Sequence, residues 1–266
     1  MICASHRVVP GGTLYLMSTK RRTFLQQVAL ARAAAQTEAL AQTPAMPGGT
    51  AAPKIPAIAY PRTFAGRHLT AIAFPLGGVA AGAITLGGRG NLRDWEIFNR
   101  PDKGNAPSYA FPAIWAQAGA RKPVARVLES RIQPPYEGSS GLGTKNAPGL
   151  LRLAGATFTG EFPLAHLDFT DSTLPVRVAL DAFTPFIPHE PEESGLPVAI
   201  LRYRVTNPGT VPAKVSIAWS IDNPTGRTPA TDTRINDYRS TSALAGLFMH
   251  SPELPAAENC CHPCSV

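Results

Sequence analysis

Residues 198–221, VAILRYRVTNPGTVPAKVSIAWSI, decide the fold. Leu201, Tyr203 and Val205 alternate with Arg202, Arg204 and Thr206, the period of a strand that buries one face. Asn207-Pro208-Gly209-Thr210 is turn chemistry, since proline fixes φ and glycine and asparagine tolerate the left-handed region. Beyond it Val215, Ile217, Trp219 and Ile221 alternate with small or polar residues. Two such runs about one turn predict an antiparallel hairpin.

The same reading extends outward. Val176–Ala182 alternates, with Val176, Val178 and Leu180 on one face and Arg177, Ala179 and Asp181 on the other. Tyr109–Ala118 alternates around Phe111 and Trp115, and Val124–Ile132, Leu150–Thr159 and Leu164–Phe169 follow as shorter strands. Ala182–Glu193 (AFTPFIPHEPEE) is punctuated by prolines and reads as a loop or edge. Pro134–Pro148 is a long polar loop, either a solvated insertion or a lid or interface. With no helical periodicity after residue 40, the expected fold is all-β, an antiparallel β-sandwich spanning residues 58–257.

Composition narrows the partners. The 27 prolines and 23 glycines favour turns and strands over long helices. The net charge of +7 comes from scattered lysines and arginines, without the basic stripe and interleaved aromatics of a nucleic-acid platform. No nucleic acid is expected, and no apolar run is long enough to span a membrane. The cysteines form no disulfide framework: Cys3 stands alone, and Cys260, Cys261 and Cys264 crowd one end. One such cluster falls short of the separated ligand pairs of a structural zinc site, so neither metal nor cofactor is expected.

Residues 74–99, FPLGGVAAGAITLGGRGNLRDWEIFN, carry six glycines and close on Arg93, Asp94, Trp95, Glu96 and Asn99. Gly88–Asn91 reads as a hairpin tip, with Ala83, Thr85 and Leu92–Ile97 as strand on either side. A phosphate cradle lacks its Gly-Lys-Ser/Thr or its GxGxxG pattern. A glycine-rich bend in a sandwich accounts for the run without a ligand. The charged cluster suits sugar recognition, because an indole covers the apolar face of a pyranose while charged side chains bond hydroxyls. Asp94 and Glu96, two apart on a strand, would share a face, although carboxylates flanking a tryptophan are more often salt-bridged or solvated than catalytic.

FPLGG, the string GAITLGGRGNLRDWEIFNRP, and the later DAFTPFIP with the strands after it resemble the N-terminal domain of glycoside hydrolase family 116, the bile-acid β-glucosidase or non-lysosomal glucosylceramidase type. The resemblance covers roughly residues 58–250. It implies a sandwich that supports an (α/α)6 barrel, in which a retaining β-glucosidase carries its paired carboxylates, and a glycoside substrate for the intact enzyme. It assigns no catalytic residue to this chain and leaves Arg93, Trp95, Glu96 and Asn99 as candidates for the edge of the sugar site. The barrel is then the missing partner, and the chain alone is expected to be inactive. Two other readings stay open: a free-standing carbohydrate-binding sandwich, marked by a row of exposed aromatics, and a purely structural or adhesive one.

The flanks read separately. Residues 1–42 form the expected leader, in which Lys20-Arg21-Arg22-Thr23-Phe24-Leu25 and the alanine-rich run after it resemble a twin-arginine export signal; Met17 is a candidate start. The expected destination is the periplasm or the exterior, the alternative the cytoplasm. Residues 43–57 are a proline, glycine and alanine linker. Residues 258–266 change character abruptly, as a truncated or shifted reading frame would.

Overall fold

The computed structural model describes residues 2–8, 10–11, 13–15, 59–97, 102–132, 146–225, 233–242 and 244–252. In chain order the strands are β1 (Ile2–Val8), β2 (Thr13–Tyr15), β3 (Arg62–Ala65), β4 (Ala73–Leu76), β5 (Gly82–Gly87) and β6 (Leu92–Ile97). There follow β7 (Phe111–Ala118), β8 (Val124–Ser130), β9 (Arg152–Leu153), β10 (Gly155–Glu161) and β11 (Leu164–Thr170). The last are β12 (Arg177–Phe183), β13 (Ile200–Thr206), β14 (Ala213–Ser220), β15 (Ile235–Ser240) and β16 (Ala245–His250). The described helical pieces are a 3-10 segment, Gly66–Ala71, and one α-turn, Pro191–Ser194.

Two sheets make the sandwich, in the orders β1-β14-β7-β8-β9 and β2-β13-β12-β11-β10-β3. Every pair in them is antiparallel except β8 with β9. Their inward residues meet in one core: Ile114, Leu128 and Val215 from one sheet, Phe158, Leu167, Leu180 and Val205 from the other. A three-stranded sheet, β4-β5-β6, and the β15–β16 hairpin complete the described fold. The expected all-β sandwich is what forms. On β7 the core side is Ile114, Ala116 and Ala118, while Trp115 alternates away from it.

The expected hairpin at 198–221 does not form. Its two strands lie in different sheets: β13 pairs with β12 and β2, and β14 with β7 and β1. Residues 207–212 are therefore an arch across the core. Alternation shows that each strand buries one face, but it is silent on whether the buried faces lie side by side or opposite each other. Asn207, fully buried, pins the arch: its Nδ2 donates to Val8 O (3.3 Å) and Val211 O (2.8 Å), and its Oδ1 accepts from Gly209 N (2.9 Å).

Ile2–Val8 and Thr13–Tyr15, in the stretch read as leader, pair along β14 and β13 as edge strands. Edge pairing rests on backbone hydrogen bonds and needs no side-chain alternation, so their sequence shows none. Residues 16–58, with Arg21, Arg22 and the linker, lie outside the described residues, as do most of the loop at 134–148 and the tail at 258–266.

Candidate functional site

The glycine run is a packing device. Gly87 N donates to Asn91 O (2.8 Å) and Gly90 N to Gly87 O (2.9 Å), closing the tip between β5 and β6. A Cβ on Gly88 would stand 2.6 Å from Leu69 O, and Gly90 adopts φ +91 with Phe169 beside it. Only glycine fits where the backbone approaches so closely or turns left-handed. The tip thus drives Arg89 inward until it is 2% exposed. Its Nη1 donates to Ser130 O at 3.2 Å and lies 3.6 Å from Glu129 Oε2, which accepts from Arg152 Nε at 2.9 Å. This buried Arg89–Glu129–Arg152 triad ties the third sheet to β8 and β9. Sequence reading missed it; the signal was an arginine between glycines.

Past the tip, β6 carries the cluster. Thr85 pairs with Arg93 and Ile84 with Trp95, so Asp94 is an extra residue, a bulge at φ +49. Its buried carboxylate accepts from Arg93 Nε (3.0 Å) and Gly104 N (2.6 Å). Glu96 accepts from Lys103 Nζ (2.5 Å) and Asp102 N (3.3 Å), and Trp95 N donates to Asn105 O (3.1 Å). Both carboxylates thus clamp the 102–105 turn onto β6. The Glu96 hydrogen bond also raises the Lys103 pKa. Trp95 is 7% exposed, so its indole face is packed, and its Nε1 finds no acceptor among the described residues. Arg93 and Glu96 reach the surface in part. Asn99 lies outside the described residues.

The fold gathers the distant motif segments at one end. β10 and β11 join there, with Glu161 opposite Leu164, and β12 gives way to β13, with Phe183 opposite Ile200. The loop between β4 and β5 meets the 184–198 segment: Gly77 N donates to Thr184 Oγ1 (2.7 Å), Thr184 Oγ1 to Val198 O (2.8 Å), and Val79 N to Ser194 O (2.8 Å). β6 runs to the same end, since Ile97 pairs with Gly82. So does β14, which leaves the arch at the opposite end and finishes beside Phe111.

The outer face of the larger sheet carries a polar cross-strand row of Thr63, Thr159, His166, Asp181 and Arg202. His166 Nδ1 lies 2.7 Å from Asp181 Oδ1 and its Nε2 3.2 Å from Asp168, while Arg202 donates to Asp181 at 2.6 and 3.0 Å. Burial pushes the Asp181 carboxyl up, but the hydrogen bonds from His166 and Arg202 outweigh it and hold it down at about 2. The bond to Asp181, with help from Asp168, raises the His166 pKa against burial. These groups satisfy one another, as charged cross-strand neighbours do.

At the arch end, a groove of about 630 Å3 lies between the 170–176 turn and β12–β13. Its carboxylates are engaged: Asp171 with Arg126 and Thr173, Asp168 with His166. Among the described residues no group of histidine, cysteine, aspartate and glutamate is arranged to hold a metal ion, and no helix is long and apolar enough to cross a membrane. A family model described as beta-glucosidase 2, glycosyl-hydrolase family 116 N-term, matches residues 73–264, well over half of the chain, including every segment gathered at the β6 end. The chain belongs to glycosyl hydrolase family 116, as the N-terminal domain of a β-glucosidase of that family.

Proposed function

We propose that this sandwich supports the catalytic domain that follows it in the family and shapes one edge of the glucoside site, without hydrolysing glycosides itself. The observation that carries the reading is the gathering of the 74–81, 92–97 and 184–198 segments at the end where β14 finishes. Glu96, opposite Ala83, lies near that end with Trp95 packed beside it, while Arg93, opposite Thr85, lies nearer the tip. Asp94 and Glu96 are occupied in holding a turn, and paired hydrolysis needs one carboxyl free to attack and one to give a proton. A free-standing sugar-binding sandwich would present a row of tryptophan or tyrosine, whereas the exposed tyrosines among the described residues, Tyr60, Tyr109 and Tyr238, come from three separate segments of the chain.

The test is hydrolysis of p-nitrophenyl β-glucoside by the purified chain, alone and mixed with a separately expressed helical C-terminal domain of a family 116 β-glucosidase. Activity in the mixture above that of the helical domain alone is expected; activity of the chain alone refutes the reading. The twin-arginine pattern supports export of this chain. Residues 1–57 fused to a folded reporter should carry it across the inner membrane, and replacing Arg21 and Arg22 by lysine should stop it.

A further inference from the structure

We infer that the catalytic domain docks on an apolar patch centred on Phe162 and Phe186, an inference that rests on the supporting role proposed above. Phe162 is 53% exposed and Phe186 37%, and their rings meet edge to face at 5.3 Å. Val79, Leu196 and Val198 are exposed on the adjoining loops, which are bound to one another through Thr184, Ser194 and the glycines at 77 and 78. Single exposed apolar residues are ordinary, but a cluster of this kind at one end of a sandwich marks an interaction surface.

The patch is built rather than incidental. Phe162 packs on Phe74 (6.2 Å), and Phe74 on the core residue Phe158 (6.1 Å), so an aromatic chain braces the surface pair from within. Aromatics held rigid before binding lose little freedom on contact and make strong anchors. The occupant follows from the course of the chain. β14 finishes at this end, Asn223 Nδ2 just beyond it donates to Ile235 O (3.0 Å), and His250 pairs with Ile235, so the last described strand returns beside the end of β14; the matched family model is that of an N-terminal domain. The domain that follows is the partner covalently held nearest to this surface.

The experiment is hydrogen–deuterium exchange of the full chain, with and without the separately expressed helical C-terminal domain of a family 116 β-glucosidase. Protection is expected at 74–81, 160–163 and 184–198. The pair Phe162→Ser and Phe186→Ser should weaken binding by roughly tenfold or more, whereas Val211→Ser, on the exposed arch at the opposite end, should leave it unchanged. Binding that protects the polar outer face or the arch instead, or that survives both serines at wild-type affinity, overturns the patch while leaving the supporting role intact. Protection of the same segments on concentrating the chain alone would assign the patch to a second copy and also overturn it. Failure of the wild-type chain to bind at all would remove the supporting role, and the inference with it. The wild-type footprint stands even where a serine variant does not fold.

Discussion

Replacing Glu129 by leucine tests whether the buried triad holds the third sheet to the sandwich. The side chains of Arg89, Glu129 and Arg152 are 3%, 6% and 6% exposed, so water screens none of them. Without the carboxylate, Arg152 keeps the carbonyls of Asn146, Ala147 and Leu150, and Arg89 keeps Ser130 O. What is lost is the carboxylate that lies 3.6 and 2.9 Å from the two guanidinium groups. Breaking a buried pair from one side costs about 3–5 kcal/mol, a large share of the roughly 5–15 kcal/mol that holds a domain together. For a domain of this size that is a fall in Tm of roughly 6–20 °C. Urea unfolding followed by tryptophan fluorescence measures it. Changing all three residues together (Arg89→Met, Glu129→Leu, Arg152→Met) removes the charge altogether and should restore most of the loss. A single Glu129→Leu variant within about 0.5 kcal/mol of wild type would refute the reasoning, since that is the size of an ordinary surface change.

Gly78→Ala puts a Cβ 2.4 Å from both Gly195 O and Leu196 O, backbone atoms that cannot rotate away, so thermal unfolding should show a loss of about 1–3 kcal/mol; an unchanged Tm would mean the two loops do not meet. Tyr203→Phe removes a buried hydroxyl that has no hydrogen-bond partner among the described residues, and chemical denaturation should find the variant as stable as wild type or more so by up to about 1 kcal/mol. A clear loss of stability would mean that the hydroxyl is bonded. The His166–Asp181 pair predicts a pH window for stability. Asp181, held at about 2 against an ordinary 3.8, contributes above pH 3.8 and loses its share as pH falls through 2. His166, raised above 6.5, contributes fully below pH 6.5 and loses its share as pH rises through its folded value. The Tm gap between wild type and His166→Gln should therefore be widest between about pH 4 and 6.5 and close on the alkaline side; a gap that stays constant up to about pH 9 would sink the assignment.

The strands were legible because each buries one face, and Leu201, Tyr203 and Val205 point inward as their spacing requires. Their pairing was not. Whether β14 lies beside β13 or across the core depends on competition for edges: β12 and β2 already occupy both sides of β13, and neither fact resides in residues 198–221. β1 and β2 left no trace in the sequence, because edge strands are held by main-chain bonds that any residue but proline can make. The hairpin tip at Gly88–Asn91 was legible from its glycines. Arg89 was not, since its partner Glu129 lies on another sheet and nothing in the chain's order pairs them.

The cluster after the tip shows where local reading stops. A regular strand would place Asp94 and Glu96 on one face with Trp95 opposite, and the expectation there is salt-bridged or solvated carboxylates, which Asp94 meets through Arg93. One extra residue at Asp94 breaks the alternation, and the 102–105 turn then takes up both carboxylates and covers the backbone of Trp95. What the family string encodes is therefore mostly approach. Gly77 and Gly78 are glycine because the 184–198 segment lies against them, and Thr184 is threonine because its hydroxyl bonds both Gly77 and Val198. Residues about a hundred positions apart are specified by one another. A surface costs that much sequence when its shape matters to something that rests on it, and here that surface carries Phe162 and Phe186 in the open, braced from the core and ready for contact.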